Sequence, residues 1–234
     1  MSSVCSVTGY CIMGGFAGSR LVIGVRYISM LSMAALWNYH LLDLVILFAI
    51  INRIFNLKMV AEEKRRDLPV TTTTATRLPP QLIMDALEIS ADIESWQYNY
   101  STSQQAVVGE CYRWAAFVLL YSIVYGCSVT HDRIQFALQG GLECLNKLCD
   151  MDRAQSCALF PMFVFGISAV TAVDQEQIKK KIDAYQRWSR LGNVAGAMQF
   201  LELWWEYCGV NEGNIEWWSW QSLAVNHGLE PVLA

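Results

Sequence analysis

The chain has 234 residues, of which 54% are apolar and only 16% charged. A chain this apolar has enough surface to bury to offset the entropy of ordering, which excludes a disordered protein. The net charge is −4 and no stripe of Lys and Arg recurs along any segment. That argues against a nucleic-acid surface on this chain, since such surfaces work by neutralising phosphates, and leaves DNA binding by a partner open.

Residues 1–20 carry four glycines and lack the charged start of a signal peptide, so they are expected to form a flexible N-terminal segment. Residues 21–37 and 41–51 are apolar, interrupted by Arg26 and Asp43 respectively. A charge inside a span is costly in a bilayer, and the second run is about half a span, so buried core helices are expected. The second helix is expected to continue to Lys58, with Ile46, Ile50, Arg53, Ile54 and Leu57 on one stripe. Residues 62–80 hold a charge run, the threonine run Thr71 to Thr74 and three prolines and read as a surface loop.

An amphipathic helix follows over 81–98, with Leu82, Ile83, Ala86, Leu87, Ile93 and Trp96 assigned to its inner face and Asp85, Glu88 and Asp92 elsewhere. Over 105–126, Val108, Cys111, Tyr112, Ala115, Ala116, Leu119, Ser122 and Ile123 mark a buried helix. Over 131–149, Ile134, Leu138, Leu142, Leu145 and Leu148 recur at helical spacing, with Thr130 or Asp132 as the expected cap. Three helices then succeed one another between Cys157 and Glu206. The first is capped by Ser156 and apolar all round, so it must be covered on every side. The second is expected to start with a capping box, Asp174-x-x-Gln177, and to carry Ile178, Ile182, Tyr185 and Trp188 as its stripe. Gly192 is expected to end it and Asn193 to cap the third, in which Val194, Ala197, Met198, Leu201, Trp204 and Trp205 point inward. Residues 209–234 form a Trp-rich tail with no evident packing partner. The fold class expected is therefore all-α, a multi-helix bundle of stacked helical hairpins.

Chemistry is scarce. Cys5, Cys11, Cys111, Cys127, Cys144, Cys149, Cys157 and Cys208 form no Cys-x-x-Cys pair and read as buried, reduced thiols. His40, His131 and His227 are isolated, so no metal site is expected. No nucleophile elbow, phosphate loop or dinucleotide fingerprint occurs. Asp85, Glu88 and Asp92 read as a solvated face rather than a catalytic set. No catalytic, cofactor-binding or metal-binding residue is assigned, and no enzyme is expected.

Leu159-Phe160-Pro161-Met162-Phe163-x-x-Gly166, then a charged amphipathic helix, then Gly192-Asn193-Val194 and a helix ending Leu201-Glu202-x-Trp204-Trp205, resembles the end of the fungal-specific transcription factor domain. Glu110-x-Tyr112-Arg113-x-Ala115 and Leu41-Leu42-Asp43-Leu44 through Ile54 resemble its earlier helices, so the likeness covers roughly 36–208. It implies a helical regulatory domain over 21–208 of the kind found behind zinc binuclear cluster DNA-binding modules. The six closely spaced cysteines of that module are absent: Cys5 and Cys11 stand alone near the start, with no basic residue between them. The implied role is transcription regulation through protein contacts in the nucleus or cytoplasm. The implied partners are the transcription machinery, a DNA-binding subunit, a second copy or an apolar effector. An upstream coding segment carrying the cysteines would be the other source of DNA recognition. The residues alone leave two further readings open: a membrane protein with spans near 21–51 and 114–127, and an all-helical binder of an apolar small molecule.

Overall fold

The computed structural model describes residues 41–66, 78–97, 104–125, 128–150, 157–189, 192–211 and 215–228. Eight α-helices are formed among the described residues: α1 (Leu41–Arg66), α2 (Pro80–Ser95), α3 (Gln104–Val124), α4 (Asp132–Lys147), α5 (Leu159–Ser168), α6 (Ala172–Ser189), α7 (Gly192–Val210) and α8 (Trp220–Asn226), the last preceded by a 3-10 turn at Trp217–Ser219. They pack helix on helix, with no strand among the described residues beyond an isolated bridge between Ser128 and Glu216. The all-α expectation is met. The expectations for residues 1–37 lie outside the described residues.

The centre of the bundle is the pair α3 and α4, flanked by α1 and α2 on one side and by α5 on the other; α5 in turn carries α6 and α7. The stripes expected on α3 and α4 are all buried. Two glycines let helices approach: a Cβ on Gly141 of α4 would lie 2.3 Å from the Phe165 ring, and one on Gly166 of α5 would lie 2.6 Å from Leu201. The α5 helix is buried at all ten positions, as its uniform apolarity requires.

Several boundaries differ from those expected. Helix α1 runs on through Arg66, so the Glu62–Arg66 charge run is its last turn rather than the start of a loop. Its buried stripe is Leu47, Ile50, Ile51, Ile54, Leu57 and Ala61, and Ile46 is exposed. Helix α4 is capped by His131, whose Nδ1 accepts from the Arg133 N–H at 3.2 Å, in place of Thr130 or Asp132. Helix α5 begins at Leu159, after Ala158 and without a side-chain cap; Ser156 lies outside the described residues. Helix α6 starts three residues earlier than Asp174 would set. The Thr171 hydroxyl accepts from the Asp174 N–H at 3.1 Å and donates to the Asp174 carboxylate at 2.7 Å. Thr171 is thus the N-cap of α6, and its hydroxyl is held by the Asp174 carboxylate. Gly192 opens α7 instead of closing α6.

The tail is not an appendage. Ile215, Trp217, Trp220, Leu223 and Ala224 belong to the same core as α3 and α5. The Val129 N–H donates to the Ile215 carbonyl at 3.0 Å, which ties the α3–α4 turn to the tail.

Candidate interaction surface

The polar chemistry of the core gathers at the C-terminal end of α5. The last carbonyls of a helix have no partner within it and must be satisfied from outside when buried. Trp205 Nε1 donates to the Gly166 carbonyl at 2.8 Å and Trp204 Nε1 to that of Ile167 at 2.9 Å. Gln135 Nε2 donates to the Ser168 carbonyl at 2.9 Å and Gln175 Nε2 to that of Ala169 at 3.1 Å. The Ser168 hydroxyl accepts from Trp217 Nε1 at 2.8 Å and donates to the Val164 carbonyl at 3.0 Å. Helices α4, α6, α7 and the tail are thereby pinned to one helix end by their side chains.

Around this end lies an aromatic cluster. Trp220 meets Phe163 edge-on at 5.4 Å and Phe200 at 6.1 Å; Trp217 meets Trp218 at 4.7 Å. Lys58 of α1, only 7% exposed, sits 4.4 Å above the Trp218 ring and pairs with Glu62. A buried cation is tolerated there because a carboxylate and an aromatic face both receive it. This arrangement is structural: the buried cation is paired, and the indole N–H groups of Trp218 and Trp220 are buried without a hydrogen-bond partner among the described residues, out of reach of a reactant.

A second aromatic series runs from core to surface on α3 and α4: Phe117 is buried, Trp114 and Tyr121 are half-buried, and Phe136 and Tyr125 are exposed. Arg113 lies over Trp114 at 5.6 Å, and Trp114 meets Phe136 at 6.0 Å and Phe117 at 5.7 Å. Phe117 stacks on Tyr121, Tyr121 meets Tyr125, and Tyr125 stacks on His131 at 5.0 Å. Phe136 is 66% exposed and Tyr125 is exposed as well. Arg beside Trp, Tyr and Phe at a surface is the composition that anchors protein interfaces.

A third feature is the outward side of α2. Its buried positions are Leu82, Ala86, Ile89 and Ile93. Ile83 and Leu87, expected on that inner face, are exposed, and so is Met84. The carboxylates considered as a catalytic set are engaged elsewhere: Glu88 at 3.3 Å and Asp92 both pair with Arg53 of α1, and Gln81 donates to Asp85 at 3.2 Å.

Among the described residues no group of His, Cys, Asp and Glu is placed to hold a metal ion. His131 caps a helix, His227 follows α8 at the surface, and His40 lies outside the described residues. Burial drives the Cys111 thiol far above the ordinary range and holds Cys208 up at about 12, so both stay protonated and unreactive. One helix among the described residues, α3, is long and apolar enough to cross a membrane, and most of it is buried against its neighbours.

The model of the fungal specific transcription factor domain matches residues 46–230. No curated protein and no solved structure matches the chain. The match runs from the second turn of α1 to beyond α8 and so takes in the tail that the sequence left without a partner. The chain belongs to the fungal-specific transcription factor domain family, and its place there is in transcription regulation, not in a family of enzymes.

Proposed function

We propose that this chain is a regulatory module of transcription control that acts in the nucleus by binding other proteins, and that sequence-specific DNA recognition is supplied by a partner subunit. The observation that carries this reading is the aromatic series on α3 and α4, with Phe136 at 66% exposure beside Trp114 and Arg113. An exposed Phe rests uncomfortably in water, and its neighbours offer rigid rings and a guanidinium to a second surface. These residues hold no basic stripe and no closely spaced cysteines, so they are not themselves the source of DNA recognition.

The test is a tethered reporter. Fused to an unrelated DNA-binding domain, the full chain should raise or lower transcription in a fungal host, and Phe136→Asp should cut that effect by about tenfold, the loss of a typical interface anchor. Circular dichroism and thermal unfolding should match the parent chain, because Phe136 is a surface residue. A reporter that does not respond to the parent chain, or responds equally to Phe136→Asp, sinks the reading.

A further inference from the structure

Residues 215–228 lie over the end of α5 and are held there largely by rings. Trp217 reaches the Ser168 hydroxyl, Trp220 packs edge-on against Phe163 and Phe200, and Trp218 lies against Phe55 and Lys58. The segment has little form of its own. Helix α8 has seven residues, too short to persist alone in water, and neither α8 nor the 3-10 turn before it is capped by a side chain. The bonds that cross to the bundle include Trp217 Nε1 to Ser168 Oγ, the Val129 N–H to the Ile215 carbonyl, and a long one of 3.4 Å from Lys58 Nζ to Gln221 Oε1.

This packing carries a cost. Two buried side-chain donors have no acceptor among the described residues, Trp218 Nε1 and Trp220 Nε1, and both belong to this segment. The indoles of Trp204, Trp205 and Trp217 each have one. The Trp217 ring stands edge to face with those of Trp218 and Trp220, at 73° and 89°, but a ring face is a weak acceptor. A buried donor left unpaired gives up its bond to water and gains none in return. Opening restores that bond to both indoles, so the segment should part from the bundle well before the bundle unfolds. Elements that move in regulation are drawn from this low end of local stability. We propose that residues 215–228 are a releasable strap, whose opening uncovers Lys58, Phe163 and Phe200 on one side and frees Val129 in the turn between α3 and α4. Val129 stands between Tyr125 and His131, the stacked pair at one end of the aromatic series, so the strap is placed to regulate that surface. That consequence rests on the partner-binding reading of α3 and α4; the opening itself does not.

The experiment is native-state hydrogen exchange on the full chain, followed by NMR at urea concentrations below the unfolding transition. The His227 and Gly228 N–H groups, bonded to the Leu223 and Val225 carbonyls, and the Val129 N–H should exchange well ahead of the amides of α3, with a weaker dependence on urea, the mark of a local opening. Replacing Trp220 by β-(3-benzothienyl)alanine keeps the double ring and removes its N–H. That change should slow the exchange of all three amides about tenfold, by lifting the cost of an unpaired donor. The same replacement at Trp217, whose N–H is bonded, should speed it about tenfold. Circular dichroism checks that each variant is folded. Strap amides that exchange only with the whole bundle, or a replacement at 220 that leaves exchange unchanged or speeds it, overturn the proposal. A Val129 amide that does not follow the strap overturns its link to the turn. No partner enters these measurements, so their failure leaves the partner-binding reading standing, and a silent reporter leaves the strap standing.

Discussion

The end of α5 and the outer side of α3 and α4 are built from the same kinds of residue and behave oppositely. Both are aromatic: Trp204, Trp205, Trp217 and Trp220 in one, Trp114, Tyr121, Tyr125 and Phe136 in the other. At α5, three indole N–H groups are spent on the Gly166 and Ile167 carbonyls and the Ser168 hydroxyl, which satisfies the buried helix end, while the N–H groups of Trp218 and Trp220 beside them are buried without an acceptor among the described residues. On α3 and α4, rings stack on one another and on Arg113 and His131, but the series stops at an exposed Phe136. Aromatic content alone therefore does not separate core from surface in this chain; the face of the helix on which each ring stands does.

The sharpest test of that contrast is truncation on both sides of it. Trp204→Ala removes a fully buried indole and frees the Ile167 carbonyl, and it should cost about 3–5 kcal/mol, enough to unfold a marginal domain. Phe136→Ala should change stability by no more than about 0.5 kcal/mol, since it empties no buried site. Urea unfolding followed by circular dichroism measures both. Equal losses would mean that the outer series is core, and the distinction drawn above would fail.

A smaller change separates the hydrogen bond from most of the ring. Trp217→Phe keeps an aromatic in place, removes the donor to Ser168 Oγ and trims a fully buried ring, so the loss should be about 2 kcal/mol, of which the bond accounts for about 1 kcal/mol. Ser168→Ala in the same background should add less than it does alone, because the two groups share one bond. A strictly additive pair would show that the Trp217 ring, and not its N–H, holds the tail.

Much of this architecture was legible beforehand. The stripes of α3 and α4 are regular enough that spacing alone identifies Ile134, Leu138, Leu142 and Leu145 as core, and α5 has no polar side to expose. The errors share a physical origin. Ile83 and Leu87 were placed inside because hydrophobicity ranks residues without saying which of two apolar stripes finds a neighbour. The caps at His131 and Thr171 were missed because an acceptor near a helix start is common, and only backbone geometry decides which one closes the turn. The tail seemed partnerless because its acceptor, Ser168, is far away in sequence and belongs to an otherwise apolar helix. The candidate surface was the least legible part. Phe136 sits among the polar positions of α4 in the sequence, and its significance comes from Trp114, which only folding brings beside it.

Thiol chemistry extends the contrast between buried and exposed groups to residues of one type. Cys149 is exposed, Cys144 is half-buried, and Cys111 and Cys208 are buried. The thiolate is the reactive form, and burial keeps Cys208 neutral until about pH 12 against an ordinary value of 9.0. Cys111 is held higher still, first by burial and then by the neighbouring Cys144 and Glu110. Iodoacetamide at pH 8 should therefore alkylate Cys149 before Cys111 and Cys208, which are modified only as urea opens the bundle, as read by peptide mass spectrometry. The sign for stability follows from the same inequality. Below pH 9 these thiols are neutral in both states and favour neither; above it the unfolded chain releases their protons while the folded chain holds them. Stability should thus decline as the pH rises from 9 towards 12, and Cys208→Ala should flatten that decline. Prompt alkylation of Cys111 in the folded chain at pH 8 would show that α3 and α4 open readily where they are packed most closely.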